Sequence, residues 1–140
     1  HACAGLSAAY RFGWGTPVDE ARGRIYGARA YRLHAAACEA GDGDACRYQA
    51  QMLFVGDDVA KDRERASLLY ARAVTLLDRA CRVGDPEACR GIFAMFAIGD
   101  GVPRDTARGE EALDRARVVW SDRCERGDRT ACKNAQKTKR

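Results

Sequence analysis

The sequence CRVGDPEACRGIFAMFAIGDGVPRD, residues 81–105, contains the start and stop signals of a helix and the start signal of the next one. Asp85 suits an N-cap, because its carboxylate accepts hydrogen bonds from the free amides of a first helical turn, and Pro86 suits the first helical position. Apolar residues then recur at steps of three and four, which predicts a helix. The glycines that follow permit left-handed backbone, Pro103 stops a helix and Asp105 can cap the next one.

A second helix is predicted from about Thr106 to Arg126. Gly127 ends it as a C-terminal glycine, and Asp128 begins the next unit. Residues on one side of this helix form an apolar stripe, namely Ala112, Leu113, Ala116, Val119 and Trp120.

The same pattern recurs every 43 residues. The recurring sets are Cys38, Cys81 and Cys124; Cys3, Cys46, Cys89 and Cys132; Gly13, Gly56 and Gly99; and Asp19, Asp62 and Asp105. A fixed period of this length indicates a repeat array, whose units bury their apolar faces against one another. In the first unit, the apolar positions of the first helix are Cys3, Leu6, Tyr10 and Phe12. We therefore predict an all-α fold, an α-solenoid of antiparallel helix pairs in one domain. Its repeats are expected at 1–41, 42–84 and 85–127, with a polar cap at 128–140.

Each cysteine pair encloses seven residues around a Gly-Asp bend between two predicted helices. Antiparallel helices joined this tightly can bring the two Cα atoms within disulfide range, which predicts the bridges Cys38–Cys46, Cys81–Cys89 and Cys124–Cys132. The alternatives are zinc binding, which favours closer ligand spacing and more histidine, and free buried cysteines. Cys3 is left unpaired, either free or separated from a partner trimmed away upstream. Disulfides indicate an oxidising compartment, hence periplasm, cell surface or secretion.

Composition narrows the classes of function. The net charge is +4 and the basic residues are scattered, whereas DNA-binding proteins concentrate charge on one face, so no nucleic-acid partner is expected. No apolar run reaches the length of a membrane span, and no signal peptide is visible. We interpret His1 as the start of a mature or trimmed piece.

These residues resemble Sel1-like repeats, the tetratricopeptide-related family of helix pairs. The resemblance is carried by Gly99–Asp105 (GDGVPRD) and Asp78–Asp85 (DRACRVGD), and it points to the cysteine-rich bacterial branch typified by the Helicobacter cysteine-rich proteins. That family's unit is about seven residues shorter. The added residues lie in the second helix of each pair and are close to two helical turns, so the buried face is expected to persist through Leu33, Leu76, Leu77, Val119 and Trp120.

The resembling branch implies penicillin binding and weak β-lactamase activity. A serine β-lactamase needs Ser-x-x-Lys, and none of Ser7, Ser67 or Ser121 has a lysine three residues later. His1 and His34 cannot supply a zinc-binding cluster. We therefore predict no catalytic residues, no metal and no cofactor, and treat the protein as a non-enzyme.

Binding is the better supported prediction. By similarity to tetratricopeptide arrays, the first helix of each pair lines a concave surface, where Arg47, Arg90 and Lys133 follow equivalent cysteines. A basic row there, with Tyr48, Gln51 and Phe54 nearby, suits an acidic or extended protein segment; chance alignment in an arginine-rich chain is the alternative. Trp14, in a glycine-rich turn, is either an exposed interface anchor or a core residue.

The predicted function is protein–protein interaction outside the cytoplasm, as an adaptor or accessory subunit of an envelope assembly. Two alternatives stay open. One is a weak hydrolase or binding protein for β-lactam or peptidoglycan-like substrates, which the family resemblance alone suggests. The other is a secreted effector.

Overall fold

A computed structural model describes residues 2–56 and 58–139 of the chain. Over these residues it contains no β-strand, and the all-α class predicted from the sequence is confirmed. The seven helices are α1 Ala2–Phe12, α2 Glu20–Glu39, α3 Gly43–Val55, α4 Arg63–Arg82, α5 Pro86–Ile98, α6 Thr106–Glu125 and α7 Arg129–Lys137.

The helices begin and end where the sequence signals place them. An aspartate side chain accepts a backbone N–H of the first turn at the start of α2 to α7, at Asp19, Asp42, Asp62, Asp85, Asp105 and Asp128. Gly56 and Gly99 end α3 and α5 with φ of 74°, a left-handed backbone in which a side chain would be strained. The prediction of left-handed glycines at these two positions is confirmed.

The chain divides into two compact units, His1–Leu69 and Tyr70–Arg140. The predicted single domain and its repeat boundaries stay predictions, and each unit is described separately. In the first unit, α1 packs on α2 and α2 packs on α3. Its core consists of Leu53 and of small residues, which are Ala30, Cys38, Ala45, Cys46, Ala50 and Ala66.

Two polar side chains complete the core of the first unit. Ser7 is buried and its Oγ donates to the carbonyl oxygen of Gly23 at 2.8 Å, where α1 and α2 approach each other. Gln49 is buried as well, and its Nε2 donates to the hydroxyl oxygen of Tyr31 at 3.3 Å. Each group therefore retains a hydrogen-bond partner in place of water.

The expected apolar stripes are wrong at three positions of the first unit. Leu6 and Phe12 in α1 and Leu33 in the added stretch of α2 are exposed. Helical spacing places a residue on a face of its own helix, but whether that face is covered depends on the neighbouring element. In this unit the covered positions of α1 and α2 include the small residues Ser7 and Ala30.

In the second unit, α5 packs on α6 and α6 packs on α7. Larger side chains form this core, including Tyr70, Leu77, Ile92, Met95, Phe96, Leu113 and Trp120. The predicted stripe of α6 is buried at Ala112, Leu113, Ala116 and Trp120, whereas Val119 is half-buried. The expected continuation of the buried face into the added stretch is therefore found at Leu77 in α4 and at Trp120 in α6.

Disulfide bonds join Cys38 to Cys46, Cys81 to Cys89 and Cys124 to Cys132, and each pair of Cα atoms is 4.6 Å apart. The bends that they close share one hydrogen-bond pattern. In each, the aspartate that caps the following helix donates its backbone N–H to a carbonyl of the preceding helix, as Asp85 does to Ala80 at 3.0 Å. Closing a loop of this length stabilises the folded chain by about 2.5 kcal/mol in the chain-entropy model.

Candidate interaction surfaces

Cys3 lies in α1 at the repeat position of Cys46 and Cys89, and it is a free, half-buried thiol. Among residues 2–56 and 58–139, no group of three or more histidine, cysteine or acidic side chains is arranged to hold a metal ion. Within the same ranges, no helix is both long enough and apolar enough to cross a membrane.

The three basic residues that the sequence assigns to one row differ in their surroundings. The Arg47 side chain is 15% exposed, its Nη2 lies 3.4 Å from Oδ1 of Asp44, and its guanidinium stands 5.1 Å from the ring centre of Tyr48. In the second unit, Arg90 is exposed, with Nη1 3.3 Å from Oε2 of Glu87. Lys133 on α7 is exposed too. The alignment of the three residues into one row stays a prediction.

The side chains expected near that row are partly accessible. Tyr48 and Gln51 are half-buried, and Phe54 is exposed, with the guanidinium of Arg63 4.7 Å from its ring centre. The rings of Tyr48 and His34 lie 5.3 Å apart. Burial lowers the pKa of His34 below its ordinary value, because a charged imidazolium is poorly solvated there. His34 was not among the residues assigned to the site from the sequence.

Trp14 is exposed on the turn between α1 and α2, so of its two predicted settings the structure shows the surface one. Its side chain is 68% exposed and that of Phe12 is 64% exposed, and their rings lie 5.3 Å apart. The turn is held by left-handed backbone at Gly13 and by the N–H of Trp14, which donates to the carbonyl of Ala9 at 3.0 Å. With exposed Val18, these residues form what we call the aromatic turn patch: Phe12, Trp14 and Val18.

A pocket of about 210 Å³ adjoins this patch in the first unit. Phe12 belongs to both, and the other lining residues are Ser7, Ala8, Arg11, Gly27, Ala30, Met52 and Asp58. Arg11 and Asp58 form an ion pair on the wall of the pocket, and their side chains are only 17% and 12% exposed. A partly buried pair of this kind is costly to break, because the remaining charge loses its partner in a poorly solvated place.

Sequence reasoning missed this pocket because its charged pair joins residues 47 positions apart. A comparison of equivalent repeat positions could have indicated the pocket. Gly27 occupies the position that is Tyr70 and Leu113 in the later units, and a small residue at a usually large position indicates local space.

The fold and these surfaces define an all-α repeat protein of disulfide-linked helix pairs that carries exposed apolar and basic side chains. No known family profile matches the chain, and no curated protein does. The chain is similar to a Sel1 repeat protein from Oxalobacter formigenes of known crystal structure, with 25% sequence identity and a TM-score of 0.33. The match covers 93% of this chain and 44% of that one, so this chain spans less than half the length of its structural relative.

Proposed function

We propose that this protein is an extracytoplasmic protein–protein interaction module of the Sel1-like repeat type, acting as an adaptor or accessory subunit of an envelope assembly. The observation that carries the proposal is the aromatic turn patch beside its pocket. Tryptophan and other aromatic side chains supply much of the binding energy at protein interfaces, where they enter or surround desolvated pockets.

The patch has the composition of an interface anchor. Phe12 and Trp14 are both more than half exposed and lie against each other, so apolar area that folding leaves in water can be buried by a partner. The turn that carries them is held at both ends by backbone hydrogen bonds, from the N–H of Trp14 to Ala9 and from the N–H of Asp19 to Tyr10. These bonds lower the backbone freedom that would be lost on binding.

The pocket beside the patch suits a single side chain of a partner. Its apolar lining includes Ala8, Ala30 and Met52, and the Arg11–Asp58 pair adds hydrogen-bonding groups on one wall. An apolar pocket with a few fixed polar groups is the usual form of a selective binding site.

The three disulfides support a location outside the cytoplasm, where oxidising conditions maintain such bonds. The finer assignment to the cysteine-rich Helicobacter-type branch rests on the sequence resemblance. The hydrolase alternative rests on the same resemblance, and turnover of a chromogenic β-lactam would favour it. A secreted effector would present the same patch to a different partner.

Capture of partners from an envelope fraction of the source organism tests the proposal. The tagged chain is compared with the Phe12→Ala/Trp14→Ala double variant and with Leu68→Ala, a control that removes a comparably exposed apolar side chain elsewhere in the first unit. We expect a specific protein with the parent and the control, and its loss with the double variant. With the purified partner, the double variant should bind at least about tenfold more weakly, as for truncated anchors.

A different result would place the interface elsewhere. If the double variant, folded by circular dichroism, bound the purified partner as tightly as the parent, the aromatic turn patch would not be the anchor. Reversing the charges of Arg90 and Lys133 would then test the predicted basic surface.

A further inference from the structure

A second cleft, in the other unit, has three arginines among its six lining residues. Along α4, the side chains of Val74, Thr75, Asp78, Arg79 and Arg82 follow one face of the helix, and Arg108 from the first turn of α6 completes the lining. We call this set the arginine cleft. Its volume is about 370 Å³, which is within the range of sites that hold small ligands or a few side chains.

The arginine cleft contains more positive charge than its own carboxylate compensates. Nε of Arg82 donates to Oδ2 of Asp78 at 2.9 Å. Within residues 2–56 and 58–139, neither Arg79 nor the guanidinium of Arg108 forms an ion pair. Three guanidinium groups thus line the cleft beside Asp78, the single carboxylate of its lining. A guanidinium that lacks a carboxylate partner at the edge of a cleft attracts an anion.

Arg108 is oriented before any ligand arrives. Its guanidinium lies 4.4 Å from the ring centre of Phe96, a side chain of the α5 core. Stacking on an aromatic face restrains the planar group and leaves the N–H groups at its edges available. Such an edge matches the two oxygens of a carboxylate, and paired hydrogen bonds of this kind are among the stronger ones in proteins.

The rest of the lining favours a carboxylate on a peptide over a free phosphate. Asp78 is within the cleft, and Glu111, paired with Arg115 at 2.9 Å, lines the small cavity that shares Asp78, Arg82 and Arg108. Asp78 and Glu111 disfavour negative charge concentrated at one point, as in a phosphate dianion, more than single carboxylates spaced along a peptide. They can also accept hydrogen bonds from peptide N–H groups, and Val74 and the methyl group of Thr75 offer apolar contact.

We infer that the arginine cleft binds an acidic peptide segment, with carboxylates received by Arg79, Arg82 and Arg108. This deepens the proposed function and rests on it, since the segment would belong to a protein partner. The cleft is separate from the aromatic turn patch, which lies in the first unit. It therefore adds a specificity for acidic sequence that the patch does not supply.

Fluorescence anisotropy with a labelled hexa-glutamate peptide and the purified full chain at low ionic strength tests the inference. We expect saturable binding at one site. Arg79→Gln with Arg108→Gln should weaken it about tenfold or more, because hydrogen bonds between charged groups are involved. Arg108→Lys keeps the charge but not the paired geometry, so it should give a smaller but measurable loss.

The matched control is Arg123→Gln with Arg129→Gln, which removes the same charge from exposed positions of the second unit outside the cleft. It should change affinity less than about threefold, because exposed charges that make no hydrogen bond to the peptide contribute little. Inorganic phosphate should displace the peptide only at a much higher concentration.

Three results would overturn the inference: no saturable binding at millimolar peptide, equal losses for the cleft and control pairs, or displacement by phosphate at concentrations equal to those of peptide carboxylate. Thermal unfolding of each variant checks that the fold is intact. Because the titration uses only purified chain and peptide, its failure leaves the capture result for the aromatic turn patch unaffected. Failure of the capture would likewise leave the titration standing.

Discussion

Gly27 in the first unit meets Asp58, and Tyr70 in the second unit meets Gly101. Gly27 and Tyr70 are equivalent positions of the second helix, and Asp58 and Gly101 are equivalent positions of the turn that follows the first helix, each 43 residues apart. A Cβ placed on Gly27 would lie 2.1 Å from Cγ of Asp58, and a Cβ on Gly101 would lie 2.2 Å from Cγ of Tyr70. The same contact therefore forms in both units, but the glycine lies on the helix in the first unit and in the turn in the second.

The exchange has different consequences in the two units. In the second, the ring of Tyr70 is buried and its hydroxyl donates to Oδ1 of Asp100 at 3.2 Å. In the first, the carboxylate of Asp58 occupies the place beside Gly27 and pairs with Arg11. The buried ring of Tyr70 fills the space at this contact in the second unit. In the first unit, the smaller carboxylate of Asp58 beside Gly27 leaves a pocket with an ion pair on its wall. A repeat position thus specifies a contact but not its chemistry.

The largest expected effect comes from Gly101→Ala. The backbone there is left-handed, with φ of 71°, and the added methyl group must also displace a buried ring. Strain and overpacking together should lower the free energy of unfolding by about 3 kcal/mol or more, as measured by urea denaturation followed by circular dichroism.

Gly15→Ala is the control for Gly101→Ala. Gly15 has the same repeat position and φ of 75°, but nothing lies within 4 Å of its added Cβ. It should cost only the backbone strain, about 1 kcal/mol. Equal losses in the two variants would show that the Tyr70 ring is not the cause.

The next largest effect is expected from removing a disulfide bond, and two of these bonds close loops of equal length. Removing Cys38–Cys46 or Cys124–Cys132 by paired alanine substitution should cost about 2.5 kcal/mol of loop-closure stabilisation in each case. Cys38 and Cys46 are buried, whereas Cys124 and Cys132 are half-buried, so the first removal should cost more by a cavity contribution. Chemical denaturation of both variants measures the difference, and a larger loss at Cys124–Cys132 would contradict this reasoning.

Gly27→Ala should destabilise the first unit by about 2 kcal/mol, although alanine is the better helix former by up to about 1 kcal/mol. The methyl group displaces the Asp58 carboxylate and separates it from Arg11. Gly5→Ala is the matched control, because Gly5 is also helical and its Cβ would enter open space; it should be neutral or stabilising. If both substitutions were stabilising, the Asp58 side chain would be able to move away from residue 27 without a cost in stability.

The smallest expected effect is a pH dependence confined to the first unit. His34 stands where the later repeats have Leu77 and Trp120, and burial lowers its pKa below 6.5. The unfolded chain therefore binds this proton more readily. The stabilisation is complete above pH 6.5 and is lost as the pH falls through the lower pKa of the folded state.

Urea midpoints at pH 7.5 and pH 5 measure this loss. His34→Leu reproduces the residue of the second repeat, so the variant should lose less stability than the parent over this interval. Equal losses in parent and variant would assign the pH dependence to other groups.

The helices, their ends and the cysteine pairing expected across each bend could all be predicted from the amino-acid sequence. These features depend on local chemistry: an aspartate that accepts first-turn amides, a glycine that adopts positive φ, and a fixed number of residues between two cysteines. Each signal acts over fewer than about ten residues, so it can be read without knowing what lies alongside. The same local signals do not predict whether Trp14 is exposed or buried, because a glycine-rich turn is compatible with both.

Which helix faces are covered could not be predicted, because it depends on how the elements pack against one another. Leu6 and Phe12 have the spacing of core residues but are exposed, while Ser7 and Gln49 are buried with hydrogen-bond partners. The same is true of the two sites described above. The pocket lined by Arg11 and Asp58 combines residues from helices and a turn, and the arginine cleft combines residues from two helices. Burial and ion pairing arise between elements distant in sequence, and the size of one contacting residue sets the space left for the other. The 43-residue period aligns these positions, but the packing of each unit determines what they form.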